Sequence, residues 1–331
     1  MTLSIEKKDS VADGVDMALR AGDWVEVKGP QEIARTLDQE GTLDGLPFMP
    51  EMLAFCGRRF RVTRRAEKTC VEVPGTYHIR EFRNNDVVLL DAPRCSGADH
   101  DGCQRACTLF WKTAWLEKIR NADAGGQRPV STLTIAALRS TIQTKASSTR
   151  YFCQSTELSK ATCHLSRGQL VFKCFVEVRT RSRRFFEMAR LVLVPVWRHF
   201  VVEKFQRPLA VGSLKQTPVV SLALQPGEIV RIKPEVEIVK TLDSRARNRG
   251  LRCDRGMRTF CGGEYRVRSR LDRMISETTG EMREVQCTVM LEGLKCICEW
   301  THVGGCPRED YMYWREAWLD RVPQPVHPQG S

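Results

Sequence analysis

The sequence predicts an α+β, β-rich protein: two homologous small SH3-like barrel modules, written as an internal repeat, with a basic insert of mixed helical and irregular character between them. Three observations predict it. The first and last thirds of the 331 residues align with one another. Both thirds alternate apolar and polar residues in short runs, as half-buried strands do. The segment between them carries almost all of the net charge of +12.

The repeat comes first because it sets the domain boundaries. At a shift of 205 residues, Gly22, Val25, Lys28 and Ile33 fall on Gly227, Val230, Lys233 and Ile238, and FCGRRFRV (55–62) falls on FCGGEYRV (260–267). Over residues 36–65, 12 of 30 positions are identical, where average composition gives roughly two by chance. After a small length change VVLLDAPRC (87–95) resembles TVMLEGLKC (288–296), and WKTAWL (111–116) falls on WREAWL (314–319) at a shift of 203. The modules are therefore 20–120 and 225–322, with a linker and basic insert at 121–224.

Within each module DWVEVKG and EIVRIKP read as strands, and PQEIARTLD and EVEIVKTLD as short helices after them. RRFRVTRRA and GEYRVRSRLDRM alternate again, and DVVLLDA and TVMLEGL are short apolar strands. Several short strands punctuated by Gly and Pro suggest a small curled antiparallel sheet or barrel. The Trp-x3-Trp-Leu ending has i, i+4 spacing and places both indoles on one helical face. Large aromatics of this kind are expected to close the core rather than stack on a substrate.

Fourteen cysteines in a chain with no apolar leader point to a reducing cytoplasm and to metal rather than to a disulfide framework. Three of them coincide across the repeat: Cys56 with Cys261, Cys95 with Cys296, and Cys103 with Cys306. If the strand starting at Cys56 pairs antiparallel with the one ending at Cys95, both thiols reach the same sheet edge. A tetrahedral zinc needs a fourth ligand. Cys70, His100 or Cys107 can supply it in the first module, and Cys287, Cys298 or His302 in the second. Zinc is the default for thiolates with imidazole nearby. The surplus of candidates in the first module leaves room for iron, an iron–sulfur cluster, or a spare reactive thiolate. The competing reading is the ordinary one, a buried free cysteine used as a small core residue.

DGLPFMPEMLAFCGRRFRV, CQSTEL and YWREAWLDRV resemble a family of uncharacterised cysteine-rich bacterial proteins encoded near natural-product or exopolysaccharide biosynthesis genes. The resemblance covers nearly the whole chain and implies a biosynthetic context. Its cysteine pattern falls on Cys56, Cys70, Cys95, Cys103, Cys107 and Cys153, and on Cys261, Cys287, Cys296 and Cys306, which favours Cys287 as the fourth ligand of the second module. Cys163 and Cys174 depart from that pattern.

The insert is basic throughout. From Arg139 to Lys215 it holds 15 Lys and Arg against four Glu and no Asp, so 15 − 4 = +11. Arg181, Arg183 and Arg184 are the candidate anion-binding residues, for a nucleic acid, a carrier protein or an anionic small molecule. A solvated basic face and an interfacial helix on anionic lipid are the competitors. Pro195 is expected to kink or split any helix there. No apolar stretch is long enough to span a bilayer. Hydrolase, nucleotide-binding and metalloprotease motifs (GxSxG, the P-loop, GxGxxG, HExxH) are absent from the sequence.

The expected function is thus a cytoplasmic metal-binding protein of a bacterial biosynthetic pathway with two Cys-ligated sites, the first module being the seat of any catalysis. Cys107, Cys153 and His100 are the catalytic candidates. The alternative is a non-catalytic zinc-stabilised module that binds nucleic acid or a carrier protein through the insert.

Overall fold

The alternation at Trp24 to Val27 builds the first strand, and the computed structural model describes the chain over residues 19–73, 76–119, 128–182, 184–189, 193, 211–296 and 307–323. The first half contains β1 (Trp24–Val27), α1 (Pro30–Ala34), the ribbon of β2 (Thr42–Leu43) and β3 (Leu46–Pro47), and a 3-10 turn at Pro50–Phe55. Then come β4 (Arg59–Arg65), β5 (Thr69–Val73), β6 (Thr76–Phe82), β7 (Val87–Leu90), β8 (Trp111–Lys112) and β9 (Leu116–Ile119). The middle segment adds α2 (Thr132–Thr141), α3 (Gln154–Ala161), β10 (Thr162–His164) and α4 (Arg167–Arg179).

The second half begins with β11 (Ile229–Ile232) and α5 (Glu235–Val239), followed by the ribbon of β12 (Arg247–Asn248) and β13 (Leu251–Arg252) and a 3-10 turn at Arg255–Phe260. It continues through β14 (Glu264–Arg270), β15 (Arg273–Ile275), β16 (Met282–Glu284), β17 (Thr288–Lys295), β18 (Tyr311–Arg315) and β19 (Leu319–Arg321).

Each half is organised on a five-stranded antiparallel sheet. The orders are β8-β7-β4-β1-β9 and β18-β17-β14-β11-β19. Local hydrogen bonds recur between the halves at the offsets seen in the sequence. Gly22 N–H donates to the Val62 carbonyl and Gly227 N–H to that of Val267, both at 2.8 Å. Trp115 Nε1 donates to Thr36 Oγ1 at 3.1 Å, and Trp318 Nε1 to Thr241 Oγ1 at 3.0 Å. Both threonine hydroxyls donate in turn to the carbonyl three residues earlier, at 2.7 Å.

The expected α+β, strand-rich class therefore stands. The hydrogen-bonded order alone does not establish the SH3-like barrel: no pair closes either sheet among the described residues, although a single 3-10 turn joins the two edge strands of each. The tryptophans are also not on a helix. Trp111 lies on β8 and Trp115 on a 3-10 turn, and Trp314 and Trp318 repeat this. All four indoles are fully buried, as a core role requires. Backbone geometry overrides the i, i+4 pattern here, since β8 and β18 are paired into their sheets and cannot be helical.

The first part of the middle segment is built into the first half. Leu138, Cys153, Leu158 and Ala161 join its hydrophobic core. The buried Gln154 side chain bridges strands: its Nε2 donates to the carbonyls of Pro47 (3.0 Å) and Phe110 (2.9 Å), and its Oε1 accepts the Phe110 N–H at 2.9 Å. β10 pairs with β6. Helix α4 docks through buried ion pairs, Lys68 to Glu177 at 2.7 Å and Lys173 to Glu81 at 2.9 Å and Glu67 at 3.4 Å. Arg181 and Arg184 stay exposed, while Arg183 and Pro195 fall outside the described residues. No helix among the described residues is long and apolar enough to cross a membrane.

Candidate functional site

The two halves meet at a seam that treats them nearly alike. Arg105 Nη1 donates to the Ile275 carbonyl at 3.2 Å, and Arg308 Nη1 to the Cys70 carbonyl at 2.9 Å. The donors are 308 − 105 = 203 residues apart and the acceptors 275 − 70 = 205, the same offsets that align the halves. Each half thus reaches across with its own copy of one arginine to one strand of the other, which is the self-complementary logic of a two-fold interface.

Glu277 lies at the centre of this seam. Its carboxylate accepts Arg308 Nη1 at 3.0 Å and Nη2 at 2.8 Å, Arg105 Nη2 at 3.5 Å, and the Glu72 N–H at 2.9 Å. Burial works to raise its pKa, but the two guanidiniums outweigh that, and the group lies below the usual carboxylate range. Glu72 is its counterpart in the first half (277 − 72 = 205), and there burial and the neighbouring Glu277 charge win, so its pKa lies above that range.

Beside the seam is a small, partly open cavity of about 30 Å³, room for one or two waters or a single ion. Four thiols line it, Cys95, Cys103, Cys107 and Cys153, together with His100, Arg105 and Arg308. The loop that carries three of the thiols is tightly closed. Cys95 N–H donates to the Cys107 carbonyl at 2.9 Å, and the His100 and Gly102 N–H groups both donate to Gly97 O at 3.0 Å. Gly97 sits at φ +67°, and a β-carbon there would lie 1.9 Å from the Cys103 carbonyl oxygen, so only glycine fits. Cys153 comes from elsewhere, the residue just before α3, where its N–H is held by Thr156 Oγ1 at 3.0 Å.

Burial decides the protonation of these thiols. It pushes Cys153 up to about 12 even though the N–H groups of Ser155 and Thr156 pull the other way. Cys95 is raised by burial and then by the charges of Glu51, Cys107 and Cys153. Cys107 is raised by burial against the pull of Arg105 and Arg308. Cys107 Sγ lies 3.8 Å from Ser155 Oγ, and Cys103 Sγ accepts the Ile275 N–H at 3.4 Å. Thiols this far above neutrality are protonated and poor nucleophiles. That argues against Cys107 and Cys153 as reactive centres in the metal-free protein.

His100 is fully committed to other partners. Nδ1 lies 2.7 Å from Glu51 Oε1 and Nε2 lies 3.0 Å from the Phe152 carbonyl. With an acceptor at each nitrogen the ring donates from both. Burial lowers its pKa, but the Glu51 hydrogen bond and charge outweigh it and the net shift is upward. Both ring nitrogens are therefore already engaged, and His100 would have to give up one of these partners to ligate a metal or act as a general base.

The other cysteines lie elsewhere. Cys56 is packed in the core, raised to about 12 by burial, and does not line the cavity. Its sheet-edge placement beside Cys95 follows from the antiparallel pairing of β4 with β7, yet the charges that act on Cys95 are those of Glu51, Cys107 and Cys153. Cys70 sits on β5 and offers its carbonyl to Arg308. In the second half Cys287 precedes β17 and Cys296 follows it. The ends of β17, Thr288 and Lys295, pair with Arg315 and Tyr311 four residues apart, so on the order of 13 Å separates them, and the described residues do not bring Cys287 and Cys296 of the expected Cys261, Cys287, Cys296 and Cys306 set into one shell. Cys261 is instead electrostatically coupled to Cys253. Cys298, His302 and Cys306 lie outside the described residues. Among the described residues no three His, Cys, Asp or Glu side chains are grouped as a metal site.

Sequence reasoning missed Glu51, Ser155 and the Glu277 centre. Glu72 and Glu277 were findable, since they match at the 205 offset, but carboxylates matching in a repeat carry less chemical signal than cysteines. No family model, curated protein or solved structure matches the chain.

Proposed function

We propose that the chain is a thiolate–metal protein whose first-half centre is the cavity lined by Cys95, Cys103, Cys107 and Cys153. One observation supports this: four cysteines from two separate segments line one small space of about 30 Å³. The donor types suit a soft divalent ion, zinc by default, and loading would draw together sulfurs that are not grouped as a metal site in this arrangement. Metal binding would release thiol protons as the ligands ionise. The excess negative charge of a four-thiolate site would be offset by the adjacent Arg105, Arg308 and the His100 imidazolium. When bound, the ion would fix the 95–107 loop, α3 and the seam in one arrangement.

A zinc held by four protein thiolates has no coordination position left for a substrate, which corresponds to a structural site rather than a catalytic one. The reading therefore moves from metalloenzyme to a metal-stabilised binding protein. The exposed Arg181 and Arg184 support an anionic partner for the basic insert. A biosynthetic role rests on the sequence resemblance alone.

Elemental analysis and a visible spectrum of anaerobically purified protein test the centre. A colourless protein with zinc that is lost in Cys107→Ser and in Cys153→Ser supports it. Absorption near 400 nm would replace zinc by an iron–sulfur cluster. Metal content unchanged in both variants would remove the site.

A further inference from the structure

A second, larger cavity of about 300 Å³ opens along the seam and shares only Thr108 and Arg308 with the thiol-lined one. Its size and its position between two packed units are those of a small-molecule site. The floor is apolar, made of Leu89, Leu90, Leu109 and Trp111, all buried. The charged wall is drawn from both halves: Arg64 and Arg94 from the first, Lys295 and Glu309 from the second.

The wall already holds a carboxylate. Glu309 is bound through its two oxygens by Arg64 Nη2 and by Lys295 Nζ, the latter at 3.0 Å. Arg94 Nη2 donates to the main-chain oxygen of Glu309 at 2.8 Å, and its guanidinium rests on the Tyr311 ring at 4.6 Å. Arg64 Nη1 is buried with no hydrogen-bond partner among the described residues, an orphan that costs about 1–3 kcal/mol unless something accepts from it. Glu309 itself sits at φ +48°, a region that non-glycine residues rarely adopt, and its side chain is 34% exposed on the cavity edge. A strained, partly exposed acid thus spans two cations while one strong donor is left over.

We propose that this cavity binds a small organic monocarboxylate with an apolar body, the ligand carboxylate taking the place of Glu309 on Arg64 and Lys295 and the apolar body lying on Leu89, Leu109 and Trp111. The charge count supports an anion: Arg64, Arg94 and Lys295 face Glu309 and Asp91, and displacing Glu309 to solvent leaves two cations to pair with the incoming group. The guanidinium of Arg64 offers two parallel donors, matched to a carboxylate. Leu89, Leu109 and Trp111 are already shielded from solvent, so an apolar body gains from van der Waals contact with them rather than from covering exposed area. The proposal does not depend on metal in the neighbouring cavity.

Calorimetric titration of the full-length protein with 3-phenylpropionate, octanoate, 3-phenylpropanol and inorganic phosphate tests it. Both carboxylates are expected to bind saturably, with the alcohol and phosphate at least tenfold weaker. Glu309→Gln, which removes the resident competitor, should tighten binding severalfold. Arg64→Met and Lys295→Met should each weaken it about tenfold or more, with thermal melting confirming that both variants fold. Metal content measured on the same samples separates failure of this site from failure of the thiol centre. The proposal is overturned if neither carboxylate binds to wild type or to Glu309→Gln. It is equally overturned by binding that is indifferent to Arg64 and Lys295, or by phosphate binding as tightly as the carboxylates.

Discussion

The two halves share a sheet order and a buried tryptophan pair, yet they use the same position differently. Two residues after the seam arginine the first half has Cys107 and the second has Asp310. Cys107 faces a cavity closed by α3, while Asp310 turns back to pair with Arg308 at 3.0 Å. The middle segment makes the difference. It supplies Cys153 and Ser155 to the first half, whereas nothing in the repeat supplies an equivalent to the second. A duplicated frame therefore does not duplicate a site. The site is set by what the connecting chain lays over one copy.

The strongest break in this comparison is at Glu277. Glu277→Ala removes the carboxylate from the buried Arg105 and leaves Arg308 with Asp310 alone, and should cost about 3–5 kcal/mol, measured by urea unfolding. Glu72→Ala, at the equivalent but half-buried position, should cost much less. The two also carry opposite pH signatures. The Glu277 pKa is depressed when folded, so its contribution is present above the ordinary value of 4.5 and is lost as pH falls through the folded value. The Glu72 pKa is raised, so its contribution is present below 4.5 and is lost as pH climbs through the folded value. Glu277→Gln should flatten the acid limb of a stability–pH curve, and Glu72→Gln should not.

Helix α4 docks on the first half. Glu177→Ala strands the fully buried Lys68 and should cost about 3 kcal/mol, with limited proteolysis opening the middle segment before the second half. A near-zero cost would make α4 an accessory rather than part of the first half. Smaller and symmetric effects should follow from Thr36→Val and Thr241→Val. Each leaves an indole N–H without its acceptor, at about 1 kcal/mol. Unequal costs would show that the two frames differ where their hydrogen bonds look the same. Alkylation by iodoacetamide at pH 8 should change stability least and sort the thiols. The exposed Cys296 should react early, and Cys56, Cys153 and Cys253, each raised to about 12, should resist until the protein unfolds.

Much of the frame was legible because alternation and repeat spacing are local or offset signals. α1, α5, β4, β14 and the pairing of β4 with β7 lie where the pattern puts them. The tryptophan pairs were legible as core but not as strand and turn, since i, i+4 spacing fits both. Of the proposed ligands, Cys95, Cys103 and Cys107 come together because one loop carries them. Cys56 and Cys287 do not, because sequence spacing says nothing about which end of a strand faces a cavity. The insert read as a separate basic unit by charge. Its burial depends on Gln154, Lys173 and Glu177 finding partners more than 40 residues away.

The seam joins residues very far apart in sequence, 238 positions for Arg308 with Cys70 and 170 for Arg105 with Ile275. Contacts of such separation form late, because loop closure precedes their reward. During synthesis the first sheet and its thiol-bearing loop are complete while Arg308, Glu277 and Ile275 are still unmade. Until the second half arrives, the 95–107 loop lacks the wall that Ile275 and Arg308 provide. The order of assembly thus leaves the cavity open on that side until the second half docks.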